Sequence, residues 1–442
     1  MPGAVLLAVS STPTLGHRFP AWSVLPFVLM LLSIALLPLL APRFWSSNRS
    51  KALLVLVLGS PVALWTATLD WGALLHTVTE YLAFIVLLGA LFVIAGGVVV
   101  RGTLAGTPGL NVALLGSGAV LASLIGTTGA SMVLIRPLLR ANSVRRRQAH
   151  VVVFFIFVVA NAGGLLTPLG DPPLFLGYLR GVPFGWTLGL WRAWLMVNAA
   201  LLVIFYVVDS TVFRQEDLDR PVDRDKLAVA HRVPVHVAGW GSLGYLLVLI
   251  GVLLVSGTLR LPVLAPTGAM FLVAALCWVT TPGKLRTENA FSWHPIAEVA
   301  ILFAGIFATM IPPLAILNAY GAQLALREPF HYFWASGALS SFLDNAPTYL
   351  AFASAASAQV GTDATNLGAL VAHERGEQLL IAISLGSVLM GANTYIGNGP
   401  NFMVKAIAEH SGVRMPGFFR YLAYSAVTLL PLFYLVSRTL LD

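Results

Sequence analysis

The chain alternates long apolar runs with short polar joints. Ten runs are of the order of the ~20 residues that an α-helix needs to cross a bilayer: 21–41, 52–69, 81–100, 151–168, 186–208, 240–258, 264–281, 296–317, 379–396 and 421–436. Two further apolar stretches, Leu110–Leu139 and Phe330–Ala356, carry polar residues in their middle. Thr127-Thr128-Gly129 interrupts the first, and Asp344-Asn345-Ala346-Pro347 the second. Neither flank of the second break is long enough to span. Irregular backbone at membrane depth is tolerated only where protein buries it or where it lines a cavity. Each stretch therefore reads as a re-entrant hairpin with a polar tip. The predicted fold class is an all-α polytopic membrane protein, with about ten transmembrane helices plus two re-entrant hairpins.

Composition agrees with this pattern. Of 442 residues, 58% are hydrophobic and only 10% charged, against roughly 25% charged in soluble domains. The net charge of +8 does not point to nucleic acid, because there is no basic helix and no soluble domain to hold it. It follows the loops instead. With the first joint (Arg43, Arg49, Lys51) on the cytoplasmic side, eighteen Lys/Arg fall there and six outside, while Arg136 and Arg192 lie in apolar runs. This positive-inside bias puts both termini outside, brings the first hairpin in from the cytoplasm and the second from outside, and implies a multi-pass protein of a cell inner membrane. The lone Cys277 allows no intrachain disulfide. Met1–Thr14 lacks the basic start of a signal peptide.

Self-similarity divides the chain into two halves. Leu88-Gly89-Ala90-Leu91-Phe92 resembles Ala304-Gly305-Ile306-Phe307, and the hairpin breaks at Thr127 and Asp344 follow at a similar offset. Thr167-Pro168-Leu169-Gly170-Asp171-Pro172-Pro173 then resembles Thr394-Tyr395-Ile396-Gly397-Asn398-Gly399-Pro400. The expected domains are a first repeat at 21–213 (hairpin 110–139, broken span 151–175) and a second at 240–439 (hairpin 330–356, broken span 379–402). A charged cytoplasmic linker, 214–236, joins them. The charge count makes the repeats inverted, and inverted repeats with paired interrupted helices point to a secondary transporter with its site at mid-membrane.

The broken spans have too much Gly and Pro to stay helical. Unwinding frees carbonyls that suit Na⁺ and exposes half-helix N-termini that suit anions. An aspartate at a helix centre costs about 2.5–3.5 kcal/mol on insertion scales, which singles out Asp344 and Asp171. Each either caps a half-helix near an interface or binds a cation and exchanges a proton. In the second case both are metal (Na⁺) ligands, and oxygen comes from Asn345, Thr127, Thr128, Asn161, Thr167, Asn393, Thr394, Asn398 and Asn401, with backbone near Gly170 and Gly397. Glu80 and Glu298 begin corresponding spans and read as helix-end acids. His76, His294, His331 and His373 lack metal-ligand spacing, and no nucleophile–base pair suggests an enzyme.

The run Ser341–Thr348, with Asn161–Pro173 and Asn393–Asn401, resembles the ion transporter superfamily, and within it the citrate-transporter-like, sodium/proton antiporter group. The resemblance runs from about Ala21 to the end. It implies a scaffold domain, a transport domain of both hairpins and both broken helices, an elevator-like movement and a homodimer. In related dicarboxylate symporters each hairpin tip carries Ser-Asn-Thr, and here only Asn345 matches. A fixed carboxylate beside the site repels a dianion unless it is protonated or paired with Na⁺. The expected function is Na⁺/H⁺ antiport, with Na⁺ and H⁺ as coupling ions and no other cofactor. The alternative is a proton- or sodium-coupled citrate or dicarboxylate symporter on the same fold. The partners are then a small inorganic cation or a carboxylate substrate, and the lipid bilayer.

Overall fold

A computed structural model describes residues 15–101, 106–219, 236–259, 261–289, 291–323 and 326–441. Its main helices are α1 (Leu25–Leu40), α2 (Asn48–Leu69), α3 (Trp71–Gly96), α4 (Pro108–Ala141), α5 (Ala149–Val158), α6 (Pro172–Leu179), α7 (Trp191–Asp219), α8 (Trp240–Leu259) and α9 (Leu264–Thr280). They continue with α10 (His294–Thr309), α11 (Ile311–Tyr320), α12 (Pro329–Ser340), α13 (Asn345–Val360), α14 (Glu374–Met390), α15 (Gly399–His410) and α16 (Phe418–Leu440). Among the described residues eight helices are long and apolar enough to cross a membrane, or nine if the bent pair α10–α11 is one span. Helices α9 and α14, at 17 residues, still reach about 25 Å. Large apolar side chains face outward, such as Val279 (81% exposed) and Phe419 (82%). An apolar surface on this scale belongs in lipid. The chain is an all-α, multi-pass membrane protein.

Helix α4 is a hairpin of two helical arms joined at Gly126. Gly126 reverses it at φ 81°, ψ 152°, backbone that only glycine adopts readily. Leu134 Cδ1 lies 3.0 Å from where a Cβ on Gly118 would sit, although a straight helix would hold those residues about 24 Å apart. The Asn111 and Asn142 carboxamides exchange bonds of 3.0 and 2.8 Å and close its base. In the second hairpin, α12 and α13 meet at Ser341–Asp344, and Tyr332 Oη donates to Gln359 Oε1 at 3.0 Å near the base. Arg375, 2.7 Å from Glu328 at the mouth of this hairpin, holds that carboxyl below the usual carboxylate range through its hydrogen bond and its charge.

The polar hairpin and the first broken span sit inside protein. About 78% of the most apolar stretch of α4 and 83% of Ala149–Leu166 are buried, against 17% for that of α2. The hairpins and interrupted helices pack on one another as one body. Helices α2, α3 and α10 form a second: Phe84 stacks on Phe303 at 4.8 Å, Tyr81 Oη donates to the Ala300 carbonyl at 2.9 Å, and Lys51 pairs with Glu298 at 2.7 Å. The long-range ion pairs Lys51–Glu298, Arg101–Glu288, Arg145–Glu216, Arg180–Glu80 and Arg375–Glu328 each join residues that the span count puts on one side.

Four boundaries depart from the sequence reading. Helix α3 starts ten residues early, because Asp70 accepts from the Ala73 N–H at 3.0 Å and caps it. Glu80 is therefore a buried third-turn residue and not a helix start. The same helix stops at Gly96, and Val99–Arg101 pairs antiparallel with His236–Ala238 as a short ribbon, β1–β2. The span 296–317 is bent by 42° between α10 and α11, where Pro312 and Pro313 remove donors and crowd the preceding turn. Residues 214–219 of the expected linker continue α7, and Glu216 accepts from the Arg146 and Arg147 amides. The rest of that linker, 220–235, lies outside the described residues.

Candidate functional site

The two interrupted helices break alike. After α5 the chain leaves the helix at Asn161, makes one tight turn at Ala162–Leu166, and is extended at Thr167 (φ −138°, ψ 158°). Asp171 (φ −146°, ψ 144°) then precedes α6. After α14 the turn is Gly391–Asn393, Thr394 is extended (φ −136°, ψ 167°), and Asn398 (φ −150°, ψ 137°) precedes α15. Glycine permits the close return of each loop. A Cβ on Gly170 would stand 2.0 Å from the Gly164 oxygen, and one on Gly397 2.6 Å from the Gly391 oxygen.

Each tip docks on the break of its own half. The Thr167 hydroxyl donates to the Ser123 carbonyl, and Thr394 Oγ1 donates to the Ser341 carbonyl at 2.5 Å. The Thr127 N–H bonds the Gly170 oxygen at 2.8 Å, and Asn393 Nδ2 donates to Ser341 Oγ at 2.9 Å. Of the docking serines, Ser123 is not among the residues singled out in the sequence, and Ser341 enters there only as the start of the run Ser341–Thr348, without its docking role. Their signal is their shared offset of 218, which also sets Thr127 opposite Asn345. Aligning the breaks by their polarity had put Thr127 opposite Asp344, one residue off.

Asp171 is the meeting point. It is 1% exposed. Its Oδ1 accepts from Thr127 Oγ1 at 3.1 Å and from Asn398 Nδ2 at 3.2 Å, and its Oδ2 accepts from Asn345 Nδ2. Both tips and the second break thus each give one donor to an acid held at the first break. A carboxamide chain continues behind it. Asn398 reaches the Ala160 carbonyl and Asn161 Oδ1, Asn161 donates to Asn401 Oδ1 at 2.7 Å, and Asn401 donates to the Gly391 and Thr394 carbonyls at 2.9 Å. Among the described residues no Lys, Arg or His forms an ion pair with Asp171. The Asn345 and Asn393 carboxamide oxygens are buried without a partner.

Asp344 is placed differently. It caps α13, accepting from the Ala346 N–H at 3.1 Å, and is only half-buried. Its neighbour Asn345, not Asp344 itself, bonds Asp171. Thr128 is half-buried and lines a cavity of about 50 Å³ with Thr127, Gly129 and Gly170, against Leu91 and Phe92 of α3 and Ile296 and Val299 of α10. This cavity lies on the seam between the two bodies. Among the described residues no three His, Cys, Asp or Glu side chains gather as a metal site. The oxygens present are of the amide, hydroxyl and carbonyl kind that suits an alkali cation.

Two polar-tipped hairpins and two unwound helices, meeting in the middle of a membrane-spanning bundle, have the organisation of a secondary transporter. Residues 16–441 match a family model described as "Putative citrate transport". The chain belongs to that family. No curated protein matches it in a sequence search.

Proposed function

We propose that this transporter exchanges Na⁺ for H⁺, with Asp171 as the coupling carboxylate. The observation that carries the reading is a fully buried acid whose partners are all neutral donors. An isolated buried carboxylate is costly, and three neutral hydrogen bonds reduce that cost without cancelling the charge. A proton cancels it, and so does an alkali cation. Na⁺ would use Asp171 together with the spare Asn345 oxygen and loop carbonyls at the breaks. Because both ions need the same oxygens, one displaces the other, which is the requirement for exchange. Alternation follows if the body of hairpins and broken helices slides, elevator-fashion, along α2, α3 and α10, across a seam that is apolar around the first hairpin tip. We place the protein in the inner membrane, as inverted repeats and as a homodimer.

The test is collapse of a pH gradient in everted vesicles. Addition of Na⁺ dissipates the gradient in vesicles carrying the protein, and Asp171→Asn abolishes the response. A response to citrate but not to Na⁺ overturns the reading. The family description supports a second reading, coupled symport of citrate or a dicarboxylate. There, H⁺ or Na⁺ at Asp171 offsets the substrate's charge while the N-termini of α13 and α15 face it.

A further inference from the structure

A His-x-x-x-Glu pattern recurs at matching places in the two halves, at His76–Glu80 and His294–Glu298, 218 residues apart. Each histidine stands one turn before its acid, at 3.9 and 4.0 Å. The partners differ. Glu298 in α10 bonds Lys51 in α2, inside one body. Glu80 in α3 reaches across the seam to Arg180, the residue that ends α6 beyond the first break. That contact is bidentate, with Arg180 Nε to Oε1 at 2.8 Å and Nη2 to Oε2 at 2.9 Å. Both side chains are buried, Arg180 at 8% and Glu80 at 3% exposed. A planar guanidinium–carboxylate fork is the strongest kind of charged hydrogen bond and is strict in geometry.

A pair shut in dry protein would not open. This one borders a cavity of about 360 Å³, walled by Arg180 together with Asp70, Asn318, Ser354 and Thr365. The Ser354 hydroxyl is buried there without a partner. The freed guanidinium thus has polar groups and space within reach. We propose that Arg180–Glu80 is a latch, which holds the hairpin body against α3 in the conformation described here and opens each time that body moves. Lys51–Glu298 does not cross the seam and stays closed throughout. The proposal rests on the sliding movement of the preceding section but not on which ion is carried.

The experiment reads the seam directly. Ile296, half-buried beside the first hairpin tip, is replaced by cysteine in a Cys277→Ser background, and its labelling by a membrane-impermeant maleimide is followed with and without Na⁺. With the latch intact, the labelling rate differs between the two conditions. Removing both charges together, Glu80→Gln with Arg180→Gln, leaves no unpaired buried ion and so preserves folding. It shifts the Na⁺-free labelling rate about tenfold, the size of a modest population shift. The swapped pair, Glu80→Arg with Arg180→Glu, returns the rate to within about twofold. Labelling of the double-neutral variant that matches the parent under both conditions overturns the latch alone. Labelling of the parent that ignores Na⁺ overturns the sliding movement and the latch with it.

Discussion

Asp171 and Asp344 stand a few residues from the same junction, yet their surroundings give them different work. Asp344 has the position of a helix cap, half-buried, with its charge turned to a backbone amide at the start of α13. Asp171 also precedes a helix but makes no capping bond. It turns inward to three side-chain donors from three other segments. Depth in the sequence pattern does not separate the two. What separates them is the kind of partner: a cap stabilises one helix locally, whereas Asp171 gathers neutral donors from both halves, the arrangement on which the proposed exchange rests.

The substitutions that bear on this contrast differ in size. Asp171→Asn should lower Na⁺-driven proton flux at least about a hundredfold, or ~2.7 kcal/mol, because the amide can neither release a proton nor neutralise a cation. Asn345→Ala removes a hydrogen bond to a charged acceptor, worth about 1.5–3 kcal/mol, and should cost roughly tenfold or more in the apparent Na⁺ constant. Thr127→Val removes a longer bond, 3.1 Å, to the same charged acceptor, at the low end of that range, about 1.5 kcal/mol, and the same flux assay should fall by about tenfold. Asp344→Ala should lose about 1 kcal/mol of stability as a deleted cap, read as a lower melting temperature in detergent, while Asp344→Asn keeps flux within about threefold. A flux loss in Asp344→Asn equal to that in Asp171→Asn would reverse the assignment.

The sequence made the architecture legible where the signal is local. Apolar run length marks the spans, and the polar tips at Thr127 and Asp344 mark the hairpins because lipid tolerates no unpaired backbone. Gly and Pro likewise mark the breaks near Gly170 and Gly397. Partnerships were not legible. Asn345 and Asp171 are 174 residues apart, and nothing in either neighbourhood names the other. The start of α3 was missed because Trp71–Glu80 mixes His, Thr and Glu into its first turns and lowers the apolar signal, while the decisive residue is the single cap Asp70. That error hid Glu80, whose partner Arg180 lies 100 residues on. The bend at Met310 was visible as Pro312-Pro313 but sat inside an otherwise unbroken apolar run.

The central claim is that one buried carboxylate, Asp171, holds either a proton or Na⁺. Proton release from purified protein in weakly buffered detergent tests it without any assumption about movement or direction. Addition of Na⁺ should acidify the solution in proportion to protein, and Asp171→Asn should release nothing. Release that persists in Asp171→Asn, or that citrate elicits and Na⁺ does not, would contradict the account.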